Sequence, residues 1–113
     1  MHHLFLIALC LAFPLEAMAG EIAGRVLIKH GGGSQPLKDA AVIVSCGEGS
    51  TQTAMSRRDG FYRALGPAIH GNCTVRVDYD NRSSNPIRVT IAGDTRVVLV
   101  VERSGDGLSL SRG

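Results

Sequence analysis

The chain has 113 residues, a formal net charge of +2, 44% hydrophobic residues and 4% aromatic residues. This length predicts one domain after removal of a leader. The mild positive charge excludes a strongly basic nucleic-acid-binding domain, so we expect no nucleic acid partner.

The N-terminus carries an apolar run, Leu4–Leu15, that is too short to span a bilayer, since spanning needs about 20 apolar residues. Ala17-Met18-Ala19 follows with the small-x-small pattern that signal peptidase accepts. We therefore predict a signal peptide over residues 1–19, cleaved between Ala19 and Gly20. The mature domain, residues 20–113, is then periplasmic or secreted and not transmembrane. A buried N-terminal helix is the alternative.

Short apolar segments with period-2 alternation and Gly, Pro, Asn or Asp between them predict strands and no helix. Seven strands and a weaker eighth are predicted at Glu21–Lys29, Ala40–Cys46, Thr51–Ser56, Phe61–Leu65, Asn72–Asp80, Ile87–Ile91, Arg96–Glu102 and Leu108–Arg112. His30–Pro36 and Asn81–Pro86 are expected to be loops. The nearly continuous apolar strand Ala40–Cys46 should be central and buried on both faces. This spacing predicts an all-β, seven- to eight-stranded antiparallel β-sandwich, with a closed barrel as the alternative.

Cys46 and Cys73 are the cysteines of the chain beyond residue 19. Each lies on the apolar face of its predicted strand, so both are expected to point into the core. In a small exported domain such a pair is most simply a disulfide. Two buried free thiols or half of a metal site remain as alternatives. The mature histidines, His30 and His70, lie in separate loops without metal-ligand spacing, so we expect no metal and no cofactor.

Four short motifs follow one another along the mature chain: Gly24-Arg25-Val26, Pro36–Val44, Ser56–Tyr62 and Gly71–Val77. Together they resemble the carboxypeptidase regulatory-like domains, which have a transthyretin-like (prealbumin-like) sandwich, over about residues 22–101. The resemblance is to the small secreted bacterial type. It implies a non-catalytic role, either as an accessory that helps an enzyme fold or dock, or as a protein- or carbohydrate-binding module.

Two positions depart from the pattern of these domains. The family often has an acidic residue after the serine or threonine of the third motif, whereas here Arg57 follows Ser56 and the acid is Asp59. It also often has an aromatic residue after the glycine of the fourth motif, whereas here Asn72-Cys73 follows. The second departure supports a variant held by a disulfide.

Catalytic chemistry is not expected from the histidines. A nucleophilic triad needs a nucleophile, a base and an orienting group in hydrogen-bond reach, and His30 and His70 lie beside glycines without a nucleophile-elbow spacing. Some transthyretin-like chains are hydrolases with a short Arg-containing C-terminal motif, to which Ser111-Arg112-Gly113 is faintly similar. Hydrolase activity is therefore a remote alternative. His30–Ser34 lacks the lysine register and helix of a phosphate loop.

Arginine is the remaining signal, because Arg binds carboxylates and phosphates through two parallel hydrogen bonds. A possible binding face consists of Arg57, Arg58, Arg63, Tyr62, Arg76 and Arg88. A solvated surface interleaved with aspartates is the alternative. We expect a non-catalytic exported accessory module of the cell envelope that docks a protein partner through a sheet edge or this face. The alternative function is binding of a glycan or an anionic lipid headgroup.

Overall fold

The structure is a computed structural model that describes residues 20–47 and 49–113. The predicted signal peptide, residues 1–19, lies outside the described residues. No helix of the described part is long and apolar enough to cross a membrane. The described strands are β1 (Gly20–His30), β2 (Gly33–Pro36), β3 (Ala41–Cys46), β4 (Thr51–Met55), β5 (Phe61–Gly66), β6 (Gly71–Tyr79), β7 (Arg82–Ser83), β8 (Ile87–Ile91), β9 (Asp94–Arg96), β10 (Leu99–Ser104) and β11 (Gly107–Arg112).

The first sheet is built around β1, the longest of the described strands. The first half of β1 pairs with β5 on one side and β9 on the other, and its second half pairs with β2 and β10. β11 extends the sheet beyond β10. β9 and β10 keep the same register against β1, so they are two parts of one strand that is interrupted at Val97 and Val98. At the interruption, the Val97 carbonyl accepts a hydrogen bond from the Tyr62 hydroxyl at 2.7 Å.

The second sheet has the strand order β4-β3-β6, with β7 and β8 pairing along the other side of β6. The two sheets pack face to face, and their inward side chains form one core that includes Ile22, Val42, Tyr62, Val75 and Leu99. The predicted all-β sandwich is confirmed. It differs from the prediction in two respects: β1 pairs in parallel with β9 and β10, and additional short strands are present.

Two of those short strands lie where loops were predicted. β2 falls inside the predicted loop His30–Pro36, because Gly31 and Gly32 make a two-residue turn that pairs His30 with Gly33. Gly31 has a φ of 62°, which glycine adopts without steric cost. β7 falls inside the predicted loop Asn81–Pro86 and pairs with the end of β6. The loop predictions were therefore wrong at these positions.

The prediction that the strand Ala40–Cys46 is buried on both faces was also wrong. β3 is central, between β4 and β6. However, Val42, Val44 and Cys46 are buried, whereas the alternate residues Ala41, Ile43 and Ser45 are half-buried. A sheet in a two-layer sandwich packs against the core with one face only. Small and polar side chains are therefore sufficient on its other, outward face.

The predicted disulfide between Cys46 and Cys73 is confirmed. The two residues lie directly opposite each other on β3 and β6, with their Cα atoms 4.3 Å apart. This short distance is typical of a non-hydrogen-bonded antiparallel pair, in which side chains approach most closely. The bond therefore links the two central strands of the second sheet where the ladder brings their side chains together.

Candidate functional site

The residues of the predicted binding face are divided between the two sheets. Arg76 and Arg88 lie on the outward face of the second sheet, on β6 and β8. Arg57 and Arg58 lie in the turn before β5, and Arg63 lies on β5 in the first sheet. The outward faces of a sandwich point away from each other. The structure therefore does not bring these residues together on one face, because local sequence does not tell which strands become neighbours.

Tyr62, the predicted exposed aromatic residue of that face, is a core residue. Its exposed fraction is 1%, and its hydroxyl donates a hydrogen bond to the Val97 carbonyl. Burial also raises the pKa of the Tyr62 phenol far above its ordinary value. Phe61 is the residue of the pair that lies outward and half-buried, with the Arg57 guanidinium 5.4 Å from the centre of its ring. The prediction of Tyr62 as a binding residue was wrong.

A group of arginines surrounds Phe61 and the turn before it. Arg25 lies opposite Phe61 on β1, and Arg57 and Arg58 directly precede Asp59 in the turn. Asp59 accepts a hydrogen bond from the Phe61 N–H at 3.0 Å. This bond and the positive charge of Arg57 hold the pKa of Asp59 below its ordinary value. The group, named here the Phe61 arginine cluster, consists of Arg25, Arg57 and Arg58.

β4 forms one edge of the second sheet, and its hydrogen-bond register can be read from its two ends. The Cys46 N–H donates to the Ser50 carbonyl at 2.9 Å, and the Ser56 N–H donates to the Ala40 carbonyl at 2.8 Å. Hydrogen-bonded pairs alternate along an antiparallel ladder, so Gln52 and Ala54 bond to β3. The N–H and C=O groups of Thr51, Thr53 and Met55 consequently point away from the sheet.

The side chains of β4 offer this edge no protection. Its sequence, Thr-Gln-Thr-Ala-Met, contains no charged residue and no proline. Thr51, Thr53 and Met55 are exposed, and the exposed fraction of Met55 is 55%. Natural proteins usually block such an edge with charge, proline, a bulge or a covering segment, because an open edge is a template for another strand.

The neighbouring edge, β5, is partly blocked, because three of the outward backbone groups of Phe61, Arg63 and Leu65 are already bonded. The Gln52 side-chain amide donates to the Leu65 carbonyl at 2.9 Å. The Arg57 N–H donates to the Phe61 carbonyl at 2.9 Å, and the Asp59 carboxylate accepts the Phe61 N–H. Three groups that a partner strand would need are therefore already bonded within the chain.

The remaining edges of the described strands are each blunted. The Asn85 amide pairs with β11 like a short strand, because its Oδ1 accepts the Leu110 N–H at 2.9 Å and its Nδ2 donates to the Leu110 carbonyl at 3.3 Å. β2 ends in Pro36, and β9 has three residues of which two are charged. β8 follows Pro86 and carries Arg88. Among the described edges, β4 is thus the most open.

A groove of about 660 Å³ lies at the β1–β2 end of the sandwich. Ile28, Pro36, Leu37 and Tyr79 form its apolar part, and charged residues including Lys29, Lys38, Asp39, Glu102 and Arg103 surround it. His30 lines this groove, while His70 does not. No serine, threonine or cysteine is among its described lining residues, and Tyr79 supplies the one hydroxyl group among them. The described residues contain no group of three metal-ligating side chains.

Comparison with known proteins supports the fold alone. The chain matches no family model and no curated protein. It is similar to the crystal structure, at 1.80 Å resolution, of a DUF3823 family protein from Parabacteroides merdae ATCC 43184, with a TM-score of 0.52 and 16% sequence identity. The similarity covers 85% of this chain and 47% of the other, so the chain spans about half the length of that structure.

Proposed function

We propose that the protein is a non-catalytic exported module of the cell envelope that docks an extended segment of a protein partner along β4. The partner segment adds a strand to the second sheet and bonds to the outward N–H and C=O groups of Thr51, Thr53 and Met55. The observation that carries this proposal is the uncharged, unbonded edge of β4 beside edges that carry charge or internal hydrogen bonds.

The charges at one end of β4 indicate the chemistry of the partner segment. Arg57 and Arg58 follow β4 after Ser56, and the charges of Arg57 and Arg25 both act on Asp59 in the same turn. Guanidinium groups favour carboxylates, and complementary charge fixes the register of an added strand. The expected segment is uncharged and β-branched along Thr51–Met55 and carries acidic residues where it passes Arg57 and Arg58.

Export and family resemblance give this proposal its setting. The N-terminal pattern favours export, and a disulfide persists in oxidising compartments. The motifs Ser56–Tyr62 and Gly71–Val77 resemble those of the transthyretin-like carboxypeptidase regulatory-like domains. A docking accessory is one of the roles that this resemblance implies.

A second candidate function rests on the Phe61 arginine cluster. Arg57 and Arg25 both act on one carboxylate, Asp59, and Arg58 adds a third positive charge beside it. Arg63, on β5, has its own partner, Glu21, at 2.7 Å. Such an excess of Arg attracts an acidic glycan or an anionic lipid headgroup. Binding of that kind depends strongly on ionic strength, because the charges are exposed. Binding by strand addition depends less on ionic strength, so the salt dependence of binding distinguishes the two functions.

The test uses oxidised protein to retain partners from detergent-solubilised envelope extract, at low and moderate salt. The key variant is Thr53→Pro, because proline at this position removes one outward N–H while the bonds from Gln52 and Ala54 to β3 remain. The matched control is Thr90→Pro. Thr90 has the same outward-facing geometry on β8, at the opposite edge of the same sheet.

The account predicts a retained protein that Thr53→Pro loses by at least tenfold, while Thr90→Pro keeps it at both salt concentrations. Retention of that protein by both proline variants would contradict docking at β4. Retention of only glycan or lipid, lost as salt rises and lost again in Arg57→Gln, would favour the second candidate.

A further inference from the structure

A polar cleft of about 450 Å³ lies at the disulfide end of the second sheet, between β6, β8 and β11. Its lining residues are Asn72, Cys73, Thr74, Arg88, Val89, Thr90 and Arg112. The lining contains two guanidinium groups, one amide and two hydroxyls, and no carboxylate. The volume lies in the range of sites that hold small molecules.

The hydrogen bonds within the cleft leave mainly donors for a ligand. The Thr90 hydroxyl donates to the Asn72 Oδ1 at 3.2 Å, which occupies the acceptor end of that amide. The Asn72 Nδ2 keeps its two N–H donors, and Thr74, directly opposite Arg88 on the neighbouring strand, adds a hydroxyl. A group of donors with no acid beside it suits a ligand that carries only acceptors.

Among the described residues, some arginines form an ion pair and others, including the two of the cleft, do not. Arg63, Arg76 and Arg103 each form an ion pair, with Glu21, Asp78 and Asp80 respectively. Arg88 and Arg112 have no carboxylate of the described residues within ion-pair distance. They come from different sheets, so the fold itself brings two uncompensated guanidinium groups to one cleft.

We propose that this cleft binds the oxyanion of a small ligand, a carboxylate or a phosphate, between Arg88 and Arg112. Each guanidinium offers two parallel N–H donors to the oxyanion, and Asn72 and Thr74 bond to its remaining oxygens or to neighbouring hydroxyls. The proposal does not depend on docking at β4, because β8 and β4 lie at opposite edges of the sheet. A ligand that carries a carboxylate would be an acidic sugar, and a ligand that carries a phosphate would be a phosphorylated compound.

The test is an NMR titration of the oxidised protein at constant ionic strength with three probes: inorganic phosphate, glucuronate and neutral glucose. We expect saturable shifts at the Asn72 side-chain amide, the Thr74 and Thr90 backbone amides, and the Nε–H groups of Arg88 and Arg112. Glucose at the same concentration should leave these signals unchanged. The anion that saturates the shifts at lower concentration identifies the source.

The variants Arg88→Gln and Arg112→Gln should each weaken binding at least tenfold while the rest of the spectrum stays folded. The matched control is Arg76→Gln, which removes the same charge from the same outward face but lies outside the cleft lining. Retained affinity in both Arg88→Gln and Arg112→Gln would overturn the proposal. So would an equal loss in Arg76→Gln, a response to glucose, or the absence of saturable shifts with both anions.

Discussion

β4 and β5 are consecutive strands, and both are sheet edges. They differ in how many of their outward backbone groups are already bonded within the chain. On β5, the side chains of Gln52 and Asp59 occupy the Leu65 carbonyl and the Phe61 N–H. On β4, Thr51, Thr53 and Met55 leave theirs open. One of the groups that blocks β5 comes from β4 itself. The contrast indicates that edge protection in this protein is selective, and the open edge is therefore the one to test.

The largest expected effect is a loss of stability in the second sheet, which carries the open edge, when its disulfide is removed. Replacing Cys46 and Cys73 together by Ala removes the only cross-link among the described residues, which joins positions 27 apart in sequence. The chain-entropy model gives a loss of about 3.6 kcal/mol in the free energy of unfolding. Urea denaturation measures it, and reduced wild-type protein is the matched control. A loss below about 1 kcal/mol would show that the disulfide does not support this sheet.

The next largest effect is a loss of stability at the end of β4, where Ser56 follows the strand. The Ser56 hydroxyl, 3% exposed, donates to the Leu37 carbonyl at 2.6 Å and accepts the Ala40 N–H at 2.9 Å. Ser56→Ala leaves two buried backbone groups unpaired and should lower the free energy of unfolding by about 2–3 kcal/mol. Ser109→Ala, the same change at an exposed site, should alter it by less than about 0.5 kcal/mol. Equal effects in the two variants would contradict this role of Ser56.

A smaller loss in the free energy of unfolding is expected from a substitution on β5. Tyr62→Phe removes the hydroxyl that bonds to the Val97 carbonyl inside the core. The buried carbonyl loses its partner, so the free energy of unfolding should fall by about 1–2 kcal/mol. Tyr79→Phe is the control, since Tyr79 is half-buried and its hydroxyl has no hydrogen-bond partner among the described residues. Thermal or urea unfolding of both variants measures the difference, and a neutral Tyr62→Phe would contradict the assignment.

The smallest effect concerns the acid that blocks β5. The Phe61 N–H and Arg57 hold the pKa of Asp59 below 3.8. A lowered folded-state pKa means that this carboxylate stabilises the folded state above its unfolded pKa. That contribution is lost as pH falls through the folded pKa. NMR titration of the Asp59 carboxyl carbon should give a pKa below 3.8, with the Phe61 amide shifting at the same pH. A titration at or above 3.8 would show that Asp59 does not hold the β5 edge.

Local patterns account for the part of the fold that the sequence predicts. The alternation of Cys73, Val75 and Val77 with polar residues defines the inward face of β6. Together with the apolar Val42–Val44 face, it places both cysteines in the core. The glycine-rich sequence at β2 led to the prediction of a loop, whereas Gly31 and Gly32 make a tight hairpin turn there. The alternation also contains a signal for Tyr62, because Arg63 on the outward face requires Tyr62 to point inward.

Most of the candidate site depends on contacts between distant residues. Gln52 and Leu65, or Asn85 and Leu110, are brought together by the packing of the sheets, and no local pattern connects them. The same holds for Arg88 and Arg112, which come from different sheets into one cleft. The sequence therefore predicts that strand edges and surface arginines are present. The fold determines which edges are open or blocked and which arginines become neighbours.

Backbone hydrogen exchange on β4, with and without the partner retained by the oxidised protein, tests the central claim most directly. In the free protein, the amides of Gln52 and Ala54 should exchange slowly, and those of Thr53 and Met55 should exchange fast. Saturating partner should slow Thr53 and Met55 at least tenfold, because their N–H groups then bond to the added strand. Fast exchange of both amides in the complex, with new protection along β8 instead, would contradict docking at β4.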